Sequence, residues 1–372
     1  MRGRPLLYRS YEQDGGLLNT AAKRWWSAAL LAVLVWVPFQ ASPDLVLLLA
    51  TAAIAAIGAI GLNIVTGYAG QVSLGHAFFL GVGAYTAAVL NGDPAARSGV
   101  VGYGLDMWIW LPAAGLVAAA AGLLVAPIAF RLRGLYLAIV TLGLVFIGDH
   151  IFREAESLTG GVGVGRKAAA PELFGFSFAE PGTILGVPLA RDQGLYFMGL
   201  IALVIMALFA RNVARSGVGR AFAAVRDRDI AAEVMGVSLR RYKIYAFVIS
   251  SFYAGIAGSL LYTISRFLEP GTFGLLLSVQ YIAMVLIGGP ATISGSIMGA
   301  AFVTLLPRLI EEVPSFVPII SGEAAGGFLT TQQLEQFLYG LLIVLFLIFE
   351  PRGMYGIWAR ARNYWKAWPF SY

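Results

Sequence analysis

Long apolar stretches alternate with short polar ones along most of the chain. Each stretch runs for about 16–24 residues, near the length at which an α-helix crosses roughly 30 Å of hydrocarbon. The apolar residues are continuous, whereas β-barrel strands alternate apolar and polar positions. The pattern predicts ten candidate spans, near residues 25–40, 45–66, 74–91, 108–130, 134–152, 194–211, 242–264, 276–289, 295–310 and 336–350. The eighth and ninth are short enough to be half-helices or strongly tilted helices.

The composition points to the same class. Of the 372 residues, 59% are hydrophobic and 12% are charged, whereas soluble domains have about 25% charged residues. We therefore predict an all-α polytopic integral membrane protein. The chain has no cysteine, which excludes disulfides, thiolate metal sites and a cysteine nucleophile. Its two histidines are far apart in sequence, so we expect no histidine-based metal site. We also expect no other metal site, no bound cofactor and no nucleic-acid partner.

Lysine and arginine in the loops predict the orientation. If the N-terminus is placed in the cytoplasm, the basic residues concentrate in the cytoplasmic segments. Membrane proteins generally show this distribution. Both termini are then inside, which requires an even number of spans. The predicted division is a cytoplasmic segment 1–24, a transmembrane domain 25–350 and a cytoplasmic tail 351–372. Within the domain, 212–241 is a long cytoplasmic segment and 153–193 is an outer loop.

Two glycine-rich interruptions stand between apolar spans. They read GYAGQVSLG (67–75) and GGPATISGS (288–296). Paired interruptions of this kind often mark the pathway of a transporter, and the backbone groups they free need protein or water around them. The candidate pathway residues are Thr66, Gln71, Ser73, His76, Thr292 and Ser294. The alternative is that these groups bond to nearby helix backbones, with His76 bonded to a carbonyl.

The two interruptions resemble each other, but both fall on the predicted cytoplasmic side. A simple inverted repeat would place them on opposite sides, so a true repeat and a coincidence both remain open. Other glycines occur in closely spaced pairs, and such pairs of small residues let helix backbones approach each other. These are Gly58, Gly61, Gly81, Gly83, Gly255, Gly258, Gly295 and Gly299.

The segment GRAFAAVRDRDIAAEVMG (219–236) carries too many charges to span the membrane. Small and apolar residues interleave with its charges, which predicts one amphipathic helix ended by Gly236. Such a helix can lie on the membrane, connect two spans in solvent, or dock into the groove of a partner protein. The mixture of acidic and basic residues argues against simple adsorption to lipid.

Several stretches resemble the branched-chain amino-acid type ABC-transporter permeases. They are GLNIVTGYAGQVSLGHAFFLGVGAY (61–85), RLRGLYLAIVTLG (131–143), LIGGPATISGSIMGA (286–300) and the long cytoplasmic segment continuing to residue 261. Together they cover about a third of the chain, in the order of the family. The 131–143 stretch, with LTGG (158–161) in the outer loop, is similar to the LivM-type subunit rather than to its LivH-type sister.

The resemblance implies an importer subunit of the bacterial inner membrane that forms the pathway together with a LivH-like sister permease. Two cytoplasmic ATPases would bind the ATP, and a periplasmic binding protein would deliver the solute. The helix near 219–236 would then couple to an ATPase. The residues at positions matching the family's coupling region are Gly219, Arg220, Ala221, Asp229, Glu233 and Gly236.

Other functions remain open. The solute would be leucine, isoleucine or valine, but similar permeases carry urea, short amides or small organic acids. An ion-coupled secondary transporter would need an acidic residue buried in a span, and none is convincingly placed. A membrane enzyme would need converging acid, base or metal groups, which the sequence does not offer.

Overall fold

A computed structural model describes residues 21–92, 100–129, 131–132, 134–173, 175–178, 180–184, 187–311, 320–321 and 329–367. These residues form fourteen α-helices. They are α1 Ala21–Trp36, α2 Pro43–Asn63, α3 His76–Asn91, α4 Met107–Ala129, α5 Leu135–Glu154, α6 Glu156–Thr159, α7 Arg191–Arg215, α8 Gly217–Asp227, α9 Asp229–Val234, α10 Leu239–Ser265, α11 Leu275–Gly288, α12 Ile293–Glu311, α13 Thr331–Phe349 and α14 Gly353–Ala367. Short 3-10 turns follow α1 (Val37–Phe39) and precede α11 (Pro270–Phe273).

The prediction of an all-α chain needs a small correction, because short strands form between the helices. They are β1 Arg166–Lys167, β2 Glu172–Leu173, β3 Phe176–Ser177, β4 Gly182–Ile184, β5 Val187–Leu189, β6 Phe267–Leu268, β7 Ile320–Ser321 and β8 Leu329–Thr330. Most belong to the predicted outer loop 153–193. The antiparallel pair β1–β6 ties that loop to the end of α10.

Each predicted span coincides with an apolar helix. Five helices among the described residues are long and apolar enough to cross a membrane, namely α4, α5, α7, α10 and α2 with its extension to Tyr68. A sixth candidate consists of α13 and α14, which are bent by 45° at a short break. The four shorter apolar helices are α1, α3, α11 and α12. The chain is therefore a helical membrane protein.

Two helices occupy the centre of the bundle. α10 packs against α2, α3 and α4, and α2 also packs against α7 and α12. Ile54, Ile57 and Leu62 on α2 are almost completely buried. By contrast, α4 and α5 expose Leu124, Leu135 and other apolar side chains on their outward faces. Such faces suit lipid, and a helix apolar all round is typical of a membrane span.

The small residues predicted for helix packing lie at the crossings. A Cβ at Gly83 would overlap the backbone of Gly255, and one at Gly258 would overlap that of Leu80. These contacts join α3 to α10 at backbone distance. The remaining predicted glycines likewise face neighbouring helices or turns, so the packing prediction is confirmed. Close approach of this kind supplies attraction between helices that the hydrophobic effect does not supply within lipid.

Candidate translocation and coupling site

The first interruption begins with a change of helical period. After α2 the chain makes one π-helical turn, Ile64–Tyr68, and then leaves helical structure until α3 begins at His76. Gly70 has φ +68°, a conformation that L side chains rarely adopt. The backbone N–H of Gln71 donates to the carbonyl of Val65 at 2.9 Å, which folds the interruption back onto the π turn. Single π turns often occur at functional sites.

The second interruption is a tight turn between α11 and α12. Gly289 has φ +123° and Ala291 has φ +58°, so the chain reverses sharply over three residues. The Thr292 hydroxyl donates to the carbonyl of Gly289 at 2.8 Å. A Cβ at Gly289 would meet the carbonyl of Arg352, at the start of α14. The Thr292 hydroxyl therefore holds this turn from within, and α14 packs against it from outside.

Asn63 joins the two interruptions. Its Nδ2 donates to the Thr292 carbonyl at 2.9 Å and to Ser296 Oγ at 2.7 Å, and its Oδ1 accepts from the Ala291 N–H at 2.8 Å. The side chain is almost wholly buried. A Cβ at Gly67 would overlap both Asn63 and Ala291, so glycine permits this contact. The two glycine-rich segments thus form one junction, on the same end of the bundle as expected.

Side chains from α5 and α11 bind backbone groups that the first interruption frees. Thr141 Oγ1 accepts from the Leu74 N–H at 2.9 Å, and Ser278 Oγ accepts from the Ala77 N–H at 3.0 Å. Both hydroxyls are completely buried. They satisfy donors at the N-terminal side of α3 that have no intrahelical partner. The interruption is therefore stabilised at depth by protein groups, as such segments require.

The predicted pathway residues do not share one environment. Gln71, Ser73 and His76 are buried, whereas Ser294 is exposed. Gln71 Nε2 donates to the Lys243 carbonyl at 3.3 Å, and the His76 ring lies 5.0 Å from that of Tyr281. Sequence analysis did not select four buried residues that make the contacts of the junction. They are Asn63, Thr141, Ser278 and Ser296.

Some buried polar atoms at the first interruption lack a protein hydrogen-bond partner among the described residues. They are Thr66 Oγ1, Gln71 Oε1 and His76 Nε2, with the neighbouring Tyr281 hydroxyl. The expectation for His76 was a bond to a carbonyl, and the backbone of Gly58 lies within reach of the ring. Water or a solute can satisfy such atoms.

The segment that sequence analysis placed in the cytoplasm differs from the prediction of one helix over 219–236. It forms two helices, α8 and α9, because Arg228 between them is extended, with φ −154°. Ser216 caps α8, since its Oγ accepts from the Val218 N–H at 3.1 Å. Gly236, with φ +85°, follows the end of α9, as predicted for its terminator.

The six predicted coupling residues divide between two faces. Gly219 and Ala221 are buried, and a Cβ at Gly219 would overlap the end of α7. Arg220, Glu233 and Gly236 are exposed, and Asp229 is half-buried. Three apolar side chains on and after α9 are also exposed, Ile230 by 69%, Val234 by 82% and Met235 by 83%. The buried residues pack the segment against the rest of the chain, and the exposed residues form an outward surface.

Arg226 links the cytoplasmic segment to the junction. Its Nη1 donates to the carbonyl of Gly67 at 3.0 Å, and its aliphatic stem lies against Gly70. A second contact joins its Nε to the neighbouring Asp227 at 3.0 Å. Sequence analysis counted Arg226 only among the charges of the segment. Its role was hidden because its contact lies 159 residues away along the chain.

At the opposite end of α3, Arg166 ties the predicted outer loop to that helix. Arg166 donates to the carbonyls of Ala88 and Val101, both at 2.6 Å, and to that of Leu158 at 3.0 Å. A cation here complements the helix C-terminus, and burial lowers the pKa of Arg166. A nearby cleft of about 290 Å³ has mainly apolar walls, and the predicted pathway residues do not line it.

Comparison with known proteins identifies this arrangement. Residues 45–347 match the family model described as the permease component of the branched-chain amino acid transport system. The chain belongs to this family. It is an ABC-transporter permease subunit, and its apolar helices cross the bacterial inner membrane.

Individual relatives agree with the family. The high-affinity branched-chain amino acid transport system permease protein LivM of Escherichia coli K12 is 33% identical, over 90% of this chain and 76% of LivM. The corresponding protein BraD of Pseudomonas aeruginosa is 25% identical, over 81% of this chain and 91% of BraD. The autoinducer 2 import system permease LsrC of Escherichia coli HS is 25% identical over 43% of this chain and 44% of LsrC. No solved structure matches the chain.

Proposed function

We propose that this permease is one half of the translocation pathway of an ATP-driven importer. It crosses the membrane ten times with both termini in the cytoplasm and pairs with a LivH-like sister permease. Two cytoplasmic ATPases bind and hydrolyse ATP, and a periplasmic binding protein delivers the solute. The chain itself performs no catalysis and holds no cofactor.

The exposed apolar surface of the cytoplasmic segment carries this proposal. Ile230, Val234 and Met235 project from a short helix that also bears Asp229 and Glu233. Exposed apolar residues flanked by charges are typical of a helix that docks into a protein groove. We assign this groove to an ATPase, and we call the segment α8–α9 the coupling segment. Glu233 and Gly236 belong to its docking face, whereas Gly219 and Ala221 hold it to the permease.

For the solute we propose branched-chain amino acids. LivM and BraD, which match most of the chain, are both named for this transport. The same family includes permeases for other solutes, as the name of LsrC indicates, so urea, short amides and small organic acids are the competing candidates. Within the chain, we place the pathway beside the first interruption, where Thr66, Gln71 and His76 have unpartnered polar atoms. Thr292 positions the second interruption, and Ser73 and exposed Ser294 are the remaining candidates.

The docking surface can be tested by purification of the complex from its own membrane. Wild-type chain should retain two ATPases, the sister permease and the binding protein. Val234→Asp and Glu233→Arg should each lower the amount of retained ATPase at least tenfold, because burying an unpaired charge in an interface costs several kcal/mol. Asn212→Asp is the matched control, since Asn212 is exposed on α7 outside the coupling segment. Full retention in both variants would remove the assignment of this surface.

The solute requires a separate measurement. Uptake of radiolabelled leucine, valine and urea should be compared in proteoliposomes that contain the complete complex and the binding protein. Leucine and valine uptake that depends on ATP supports the proposal. Uptake driven by a proton or sodium gradient without ATP would instead establish an ion-coupled carrier.

A further inference from the structure

We propose that Arg226 is the positioning residue that transmits movement of the coupling segment to both membrane interruptions. The inference rests on the proposed docking of an ATPase at α9 and adds the route by which that event reaches the pathway. Arg226 lies at the end of α8, two residues before the extended Arg228 that separates α8 from α9. It therefore stands between the docking surface and the first interruption.

Two contacts hold Arg226 to the first interruption. The guanidinium donates to the Gly67 carbonyl at 3.0 Å, and the side-chain carbons pack against Gly70. A hydrogen bond from a charged donor is stronger than one between neutral groups. Gly67 lies in the π turn Ile64–Tyr68, where the helical ladder of α2 ends before α3 begins at His76. Displacement of Arg226 therefore acts directly on the start of the interruption.

From Gly67 the contacts continue to the second interruption. Gly67 lies so close to Ala291 and Asn63 that a Cβ added to it would overlap the backbone of the first and the side chain of the second. Asn63 holds the turn through Ala291, Thr292 and Ser296, at 2.7–2.9 Å. One arginine thus reaches both segments through a single buried amide. Energetic coupling over such distances is carried by contiguous hydrogen-bonded and packed groups of this kind.

The surroundings of Arg226 favour this role over a simple surface charge. Its other contact is with Asp227, the residue next to it in sequence, and that pair is largely exposed. An exposed ion pair contributes little to stability. The contact with Gly67, by contrast, joins parts of the chain 159 residues apart. Arg226 can therefore act on distant parts of the chain through its contact with Gly67.

The experiment uses the complete importer in proteoliposomes. The binding protein is supplied on the side of the membrane from which the solute is taken up. Arg226→Met keeps the length of the stem and removes all donors. Arg241→Met is the matched control, because it removes the same charge at an exposed position near the start of α10, outside the coupling segment. Three quantities are measured for each variant: retained ATPase, ATP hydrolysed, and solute imported per ATP.

We expect Arg226→Met to retain the ATPases and hydrolyse ATP, but to import about tenfold less solute per ATP. Tenfold corresponds to about 1.4 kcal/mol, near the lower end for a hydrogen bond to a charged group. Arg241→Met should behave as wild type in all three quantities. Equal import per ATP in the two variants, with ATPases retained, would overturn the role of Arg226. Loss of the ATPases from the wild-type chain would instead refute the proposed docking.

A second measurement covers the case in which Arg226→Met lowers the yield of folded protein. The chain has no cysteine, so Ser294→Cys places one reactive thiol on the exposed side of the second interruption. A non-hydrolysable ATP analogue should change its labelling rate when Arg226 is present. With Arg226→Lys, which retains the charge but loses the planar fork, the change should be smaller. If the ATP analogue changes the labelling rate equally in the chain with Arg226 and in Arg226→Lys, the inference is contradicted.

Discussion

The junction made by Asn63 permits a quantitative prediction. Asn63→Ala removes one amide that makes three hydrogen bonds, to Thr292, Ser296 and Ala291 at 2.7–2.9 Å. Side-chain hydrogen bonds between membrane helices contribute about 0.6 kcal/mol on average, which gives a lower limit of about 2 kcal/mol for three. Ser296 still donates to the Thr292 carbonyl, so the Ala291 N–H is the group left unpaired, and it adds about 1–3 kcal/mol unless water reaches it.

We therefore expect Asn63→Ala to lower the free energy of unfolding by about 2–5 kcal/mol. The assay is reversible unfolding of the purified chain in mixed micelles, with the fraction of denaturing detergent varied. Asn212→Ala is the control, because it makes the same substitution at an exposed position of α7. It should change the free energy by less than about 0.5 kcal/mol.

Equal effects of the two substitutions would refute this reasoning. They would mean that the two interruptions are held together by backbone packing at Gly67 and that the amide contributes no net stability. A large effect of Asn63→Ala on import, without any effect on unfolding, would also contradict the predicted loss in the free energy of unfolding. In that case Asn63 would act on the pathway and not on the stability of the junction.

Two further predictions concern helix packing and the outer loop. Gly83→Ala should destabilise the chain by more than about 1 kcal/mol, because the added methyl group overlaps the backbone of Gly255. Gly143→Ala, at a helical glycine with open space around it, should be neutral or slightly stabilising in the same unfolding assay. Arg166→Met should increase proteolysis of the outer loop at least tenfold, since three hydrogen bonds to carbonyls are lost. The exposed neighbour Lys167→Met should leave the proteolysis rate unchanged.

The amino-acid sequence by itself determined the class of the protein and the positions of its apolar helices. Long uninterrupted apolar stretches have one stable form in lipid, because a helix satisfies its own backbone hydrogen bonds. Small residues such as Gly83 and Gly255 were assigned to helix contacts for a similar reason, since only they allow backbones to touch. The likeness to branched-chain amino-acid permeases was also visible in four stretches of sequence, and the family match confirms it.

The break in the coupling segment was not visible in the same way. Its small and apolar residues fit one helix over 219–236, and nothing at Arg228 signals an extended residue. The backbone leaves the helix there while α8 packs on the end of α7 and α9 holds its apolar side chains outward. That choice depends on the surface beneath the segment, which local helix propensity does not describe.

Only the tertiary structure decided which polar residues meet. Asn63 contacts residues 229 and 233 positions away, and Arg226 contacts one 159 positions away. Hydropathy records how apolar a stretch is, but not the rotation of a helix about its axis or the neighbour that this rotation presents. The buried Ser296 was therefore missed and the exposed Ser294 was chosen, although both lie in the same short segment. Spans follow from local composition, whereas a junction depends on how several spans pack together.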